Sequence, residues 1–320
     1  MDAMEEALPM PKRSAPTEKA MPHNHIAVRA KRLRETGLGL LFLAPSLAVF
    51  AVFCFYPLLR SVYLSMQVTN PRGKVVDYVG LANFQELFAS ETFYRNLAVT
   101  GQFTLYTVPT AIVLALILAA LTAGPQRGMK LFQGVFSMPV AISVGTGAVI
   151  WTMLFHPTTG MFNYFLTLMG LNPVAWLSDP AWALVSVSVM TVWMNLGFAY
   201  IVLLSGIQAI SADLQESARI DGAGRFTVFC RITLPLLSPT LFFLLIVSVI
   251  QSLQAFGQFH IMTKGGPMHA TDVFVYGVFR EAFVNYRFGT ASAEALVLFA
   301  IILVLTLVQF AVLERKVHYQ

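Results

Sequence analysis

The stretch ALVLFAIILVLTLVQFAVL, Ala295–Leu313, contains no acidic, basic or histidine side chain. About twenty such residues, wound as an α-helix, cross the ~30 Å hydrocarbon core of a bilayer. Five further stretches read the same way: Gly37–Leu59, Phe103–Ala123, Phe132–Phe155, Trp182–Leu204 and Leu236–Phe256. Composition agrees with them. Hydrophobic residues make up 57% of the 320, charged residues 12%, and mean hydropathy is +0.68. Soluble chains carry about twice that charged fraction. The chain is therefore read as all-α, a polytopic membrane protein with six transmembrane helices over residues 37–313.

The third stretch is rich in small residues (Ser137, Ala141, Ser143, Gly145, Gly147). Small side chains let helices approach closely, which places this span inside the bundle. Pro45, Pro57, Pro109 and Pro139 predict kinks that neighbouring helices tolerate. Residues 1–36, interrupted by Pro9, Pro11, Pro16 and Pro22, are too polar to bury a core and are expected to be a disordered tail. No small-residue cleavage site follows the first apolar stretch, so it is not read as a removable leader. Residues 314–320 form a short C-terminal tail.

The net charge of +5 is distributed by side rather than by patch. With the N-terminus inside, the inner segments hold fourteen Lys and Arg and the outer segments seven. That excess puts both termini in the cytoplasm. The outer loops are long and contain amphipathic stretches such as Asn83–Phe88, expected to be short helices at the interface. Cys54 and Cys230 fall in a span and a polar loop, with no metal-ligand spacing.

The inner loop from 207 to 235 is the informative one. Ala212–Ile220 reads as a short helix with Ser211 as its N-cap and Asp213 near its start. Asp221-Gly222-Ala223-Gly224 breaks it, and Arg225–Ile232 resumes helical spacing before Pro235 and Pro239. A helix–turn–helix of this kind is either a solvated connector or a docking element. Asp221 is expected to cap the second helix.

Glu216-Ser217-Ala218, then Asp221-Gly222-Ala223, then Ile232-Thr233-Leu234-Pro235 resembles the EAA signature of permease subunits of binding-protein-dependent ABC importers, with Ser217 in place of the usual second alanine. The resemblance implies the type I importer permease fold in a bacterial inner membrane. It also implies that Glu216, Ser217, Ala218, Asp221, Gly222, Ala223, Leu234 and Pro235 form a coupling loop seated in a cytoplasmic ATPase. Implied partners are a second permease subunit, two ATPase subunits and an extracytoplasmic solute-binding protein. The chain has no Gly-x-x-x-x-Gly-Lys-Ser/Thr loop, so ATP and Mg are assigned to the separate ATPase, and no cofactor or enzymatic activity to this chain.

Val79-Gly80-Leu81-Ala82-Asn83-Phe84 resembles the first outer loop of sugar-type permeases. Thr263-Lys264-Gly265-Gly266-Pro267 is similar to the outer segment of subunits that pair with a second permease. On that likeness Thr263, Gly265, Gly266 and Pro267 face the binding protein; an ordinary surface turn is the alternative. Phe155-His156-Pro157 and the ending from Val308 to Gln320 are similar to the A-type subunit of glycerol-3-phosphate importers. Glycerol 3-phosphate or a glycerophosphodiester is then the implied cargo, with a neutral mono-, di- or oligosaccharide as the alternative.

Within the spans the polar candidates for a substrate pathway are Trp193, Asn195, Gly197, Tyr200, Ser248, Gln251, Ser252 and Gln254. Amides and hydroxyls beside aromatic rings suit polyol hydroxyls, and the same groups also serve as bonds between helices. Span interiors hold no charged residue, only Glu294 at an edge. That speaks against a secondary transporter coupled through intramembrane acids and against an intramembrane enzyme.

Overall fold

The computed structural model describes residues 25–124 and 126–313. The helix α1 runs His25–Phe50, and a π-helical turn, Ala51–Phe55, joins it to α2, Tyr56–Ser65. A hairpin of β1, Gln67–Thr69, and β2, Val75–Tyr78, pairs antiparallel with Val68 opposite Asp77. Then come α3, Ala82–Ala89, α4, Glu91–Thr122, α5, Met129–Ser137, a 3-10 turn, Met138–Ala141, and α6, Val144–Leu154. Next are α7, Met161–Leu168, α8, Pro180–Ala209, α9, Ala212–Ile220, α10, Arg225–Val228, a second π turn, Phe229–Thr233, and α11, Leu234–Leu236. The chain ends in α12, Ser238–Leu253, α13, Gly257–Met262, α14, Phe274–Phe283, and α15, Phe288–Leu313.

The chain divides into two units, Met1–Leu58 and Leu59–Gln320. In the first, the tail expected to be unfolded through residue 36 is helical from His25 onward, so the apolar helix begins a dozen residues before its apolar stretch. The remaining tail residues, 1–24, and the C-terminal tail 314–320 lie outside the described residues.

Among the described residues, five helices are long and apolar enough to cross a membrane: Leu38–Ser65, Glu91–Thr122, Pro180–Ala209, Ser238–Met262 and Phe288–Val312. The third expected span is not a straight helix. Met129–Ala141 and Val144–Leu154 meet at 104°. Pro139 lacks the amide that would continue the ladder, and Ser143 starts α6 afresh, its hydroxyl accepting from the Thr146 amide at 3.2 Å. Two other prolines are accommodated differently. Each π turn ends two residues before a proline, Pro57 and Pro235. Widening the turn relieves the clash of the ring with the carbonyl four residues back.

In the second unit, α4 and α8 form the axis of the core. Phe103, Thr107, Ala111, Ala115 and Ala119 recur every four residues on one face of α4, all buried. Ala115 and Ala119 meet Ala199, Tyr200 and Leu203 of α8, while Phe103 meets Leu184, Val187 and Met190. Small side chains at that stride let two backbones approach closely. The Thr122 and Tyr200 hydroxyls share a 2.6 Å hydrogen bond at one end of this seam, and Gln133 of α5 donates to the Thr122 carbonyl at 2.8 Å.

The break between α5 and α6 rests on α8 at Gly197. A β-carbon there would lie 2.7 Å from the Val140 amide nitrogen and 3.1 Å from the Ser137 carbonyl. The glycine is thus required by close approach of backbone to backbone. Gly197→Val is expected to destabilise the chain by about 1–3 kcal/mol, read as a lowered unfolding midpoint of the detergent-purified protein; an unchanged midpoint would show that the break is free to move away.

Candidate functional site

Three features of the second unit are candidates: a cavity among the helices, the α9–α10 loop at one end of the spans, and the α13–α14 loop at the other. The cavity has a volume of about 520 Å³. Its walls come from the 3-10 break (Pro139, Val140), from α8 (Thr191, Asn195, Phe198) and from the α12–α13 junction (Gln251, Ser252, Gln254, Gln258). No ionisable side chain is among its lining residues.

Polar groups in these helices fall into two sets. The hydroxyls of Thr100, Thr104, Thr107, Ser188 and Thr191 bond to the carbonyl one turn back on their own helix, at 2.7–2.9 Å. Ser252 bonds to the Val249 carbonyl and across to Thr104 at 3.0 Å. By contrast, the side-chain amides of Asn195, Gln251 and Gln254 make no hydrogen bond within the described residues. A primary amide presents two donors and one acceptor oxygen. Three of them on one cavity leave a set of groups that only a guest, water or another chain can satisfy.

Of the pathway residues expected from the sequence, the cavity gathers Asn195, Gln251, Ser252 and Gln254. It adds Thr191 and Gln258, whose side chains lie 3.5 Å apart. Trp193, Gly197, Tyr200 and Ser248 are elsewhere. The Trp193 ring packs on Trp151 at 5.8 Å. Tyr200 is fully buried between Thr122 and Phe136, and Ser248 is buried in α12.

At the opposite end of α8, α9 starts at Ser211, whose hydroxyl accepts from the Asp213 amide at 3.3 Å. It ends at Asp221, whose backbone amide bonds back to Ser217. Asp221 therefore closes the first helix; the second is entered at Gly224, without a side-chain cap. Gly222, at φ +83°, makes the turn that a β-branched residue would resist. Glu216, Ser217, Asp221 and Gly222 are exposed, Ala218 and Ala223 half-buried. Ile220 and Phe226 stand 86% and 79% exposed on either side of the turn. The π turn then leads into Leu234 and Pro235, both half-buried.

The α13–α14 loop is built on two buried polar residues, Thr271 and Asp272, the second of which sequence reasoning passed over. The Thr271 hydroxyl bonds to the Gly266 carbonyl at 2.5 Å and to the Thr263 hydroxyl at 2.8 Å. Asp272, fully buried, receives Arg280 at 2.6 Å and faces His269 at 3.1 Å. Burial, and then the Asp272 charge, push the nearby Tyr276 phenol up. Asn96, its amide nitrogen turned toward the carbonyls, donates to the Asp272 backbone at 3.0 Å, and Thr100 accepts from the Phe274 amide at 2.8 Å. Of four non-glycine residues with left-handed φ among the described residues, three lie here: Lys264, Met268 and His269. Thr263, Gly265, Gly266 and Pro267 are half-buried or buried scaffold, while Met268 and His269 form the exposed tip. No spacing rule pairs Asp272 with Arg280, so the sequence alone carried no signal for this knot.

The chain matches the family described as "Binding-protein-dependent transport system inner membrane component" over residues 81–319. It is 34% identical over 286 residues to the sn-glycerol-3-phosphate transport system permease protein UgpA of Yersinia enterocolitica, covering 88% of this chain and 96% of that protein. It is 33% identical over 285 residues to the UgpA of Agrobacterium fabrum, covering 88% and 96%. Among solved structures it is similar to a bacterial ABC transporter involved in import of the acidic polysaccharide alginate, with a TM-score of 0.77 and 27% identity over 89% of this chain and 98% of that one.

Replacing Arg280 by Met leaves the Asp272 carboxylate buried without its cationic partner, at an expected cost of about 3 kcal/mol. Arg280→Lys is expected to lose much less. Thermal unfolding of the two purified variants checks the difference, and equal stability of both with the parent would remove the ion pair from the account.

Proposed function

The chain belongs to the family of binding-protein-dependent transport system inner membrane components, and from that premise we propose that it forms one half of a substrate path whose cargo is glycerol 3-phosphate or a related glycerophosphodiester. The observation that carries this reading is the cavity on which the unpartnered amides of Asn195, Gln251 and Gln254 converge. Amides of this kind both donate to and accept from hydroxyl groups, as the glycerol moiety requires. Trp193, Gly197, Tyr200 and Ser248 contribute to the path only through packing. The kinship to two UgpA proteins supports the phosphorylated cargo.

The second reading, a neutral mono-, di- or oligosaccharide, is favoured by the lack of any ionisable group among the cavity-lining residues. A phosphate needs a cation or a helix N-terminus, which on the first reading comes from the second permease subunit. Both readings share the machine. The cargo is delivered by an extracytoplasmic binding protein to the α13–α14 loop, where Met268 and His269 stand forward of Thr263, Gly265, Gly266 and Pro267. Two cytoplasmic ATPase subunits hold ATP and Mg and receive the α9–α10 loop, with both chain termini on their side of the membrane. Glu216 offers a charge to the ATPase, Ile220 and Phe226 offer apolar surface, and Gly222 holds the angle between the two helices.

Calorimetry on the cognate binding protein separates the cargoes: binding of glycerol 3-phosphate or glycerophosphodiesters supports the first reading, and binding of sugars alone supports the second. In proteoliposomes holding the whole complex, Glu216→Lys is expected to lower ATP-driven uptake at least about tenfold, a coupling loss of ~1.4 kcal/mol or more. Uptake at the parental rate would sink the coupling role. Gln254→Leu is expected to lower uptake while leaving basal ATP hydrolysis unchanged; a variant transporting normally would take Gln254 out of the path.

A further inference from the structure

The loop between α6 and α8 carries a feature that the transport reading does not use. Between His156 and Asp179 no residue carries a charge. Within this stretch α7 has two unlike faces. Phe162, Asn163 and Leu166 turn inward, whereas Met161, Tyr164, Phe165 and Leu168 are exposed, the one-face spacing of a helix lying on a surface. Leu168 is 66% and the adjoining Met169 75% exposed.

The inward face is fixed by one residue. Asn163 donates to the Pro157 and Val174 carbonyls at 2.9 Å each, and accepts from the Val174 amide at 3.0 Å and from the Trp176 indole at 2.9 Å. Its amide is fully used, so α7 is stapled to the loop with its apolar face outward and rigid. Around that staple the chain's four tryptophans form one connected set of rings. Trp182 meets Trp176 at 5.4 Å, Trp176 meets Phe155 at 5.6 Å, Phe155 meets Trp151 at 5.4 Å, and Trp151 meets Trp193 at 5.8 Å.

We propose that α7 is a monotopic anchor, lying in the lipid headgroup boundary at the end of the spans opposite the α9–α10 loop, with Tyr164, Phe165, Leu168 and Met169 inserted among the lipids. Three independent observations select lipid as the occupant. The loop joins the end of α6 to the start of α8, so both its ends are pinned at the membrane boundary. A stretch without charges lies against lipid without the cost of bringing an ion out of water. Trp176 and Trp182, which flank the start of α8 at Pro180, stand at the headgroup level that tryptophan favours. The anchor sits at one end of α6, whose other end, at Val144, lines the cavity, so the lipid boundary holds one wall of the substrate path in place.

The test uses the whole complex in nanodiscs, with Cys54→Ser and Cys230→Ser as background and a bimane label on Leu168→Cys. Phospholipid carrying a nitroxide near the top of its acyl chain is expected to quench the label about twofold or more, with aqueous iodide quenching it little. Quenching by iodide and not by the lipid probe would show a water-facing helix and overturn the proposal. Protection from both quenchers would show that the second permease subunit covers α7, and would overturn it as well. Met169→Cys provides the same readout should the Leu168→Cys chain fail to assemble.

Discussion

Hydrocarbon offers no hydrogen bonds, so every polar group in a span must be answered by the protein or by a water-filled space. That constraint orders the second unit. Thr100, Thr104, Thr107, Ser188 and Thr191 turn back to carbonyls of their own helices, and Thr122 with Tyr200 closes the α4–α8 seam. Because these groups are answered locally, α4 and α8 can pack through Ala115 and Ala119 without a polar debt between them. What is left unanswered, the amides of Asn195, Gln251 and Gln254, gathers on a cavity.

The cavity itself exists because a helix fails. Pro139 ends the α5 ladder, Ser143 restarts it at 104°, and the break rests on Gly197. A straight third span would place side chains where the break now leaves space beside Asn195 and Gln254. Irregular backbone at membrane depth is tolerated where it lines such a space, and Pro139 and Val140 do line it.

The two ends of the spans are built on opposite principles. The α9–α10 loop is capped by Ser211 and turned at Gly222, and it leaves Ile220 and Phe226 bare. The α13–α14 loop holds left-handed residues at Lys264, Met268 and His269, each costing about 1 kcal/mol or more. Thr271 and the Asp272–Arg280 pair hold that loop in shape. The backbone strain thus sits beside the buried ion pair that maintains it.

The sequence by itself determined that this chain spans a membrane and roughly where each span lies, because length and apolar content are local properties, and residue spacing picked out the loop with the EAA-like pattern. It also singled out Asn195, Gln251, Ser252 and Gln254, since polar residues stand out against an apolar run. It expected a kink at Pro139 without its 104° angle, and it ran the tail to residue 36 where α1 already begins at His25, since proline and composition signal a break or a tail without setting an angle or a boundary. Sequence grouped Tyr200, Gly197 and Trp193 with the cavity residues, and only the packing of α4, α5 and α8 separated them. The pairings Thr122–Tyr200, Asp272–Arg280 and Asn163–Trp176 were likewise decided by tertiary structure. Whether a polar side chain is a bond between helices or an open site depends on what the rest of the fold brings within 3 Å of it.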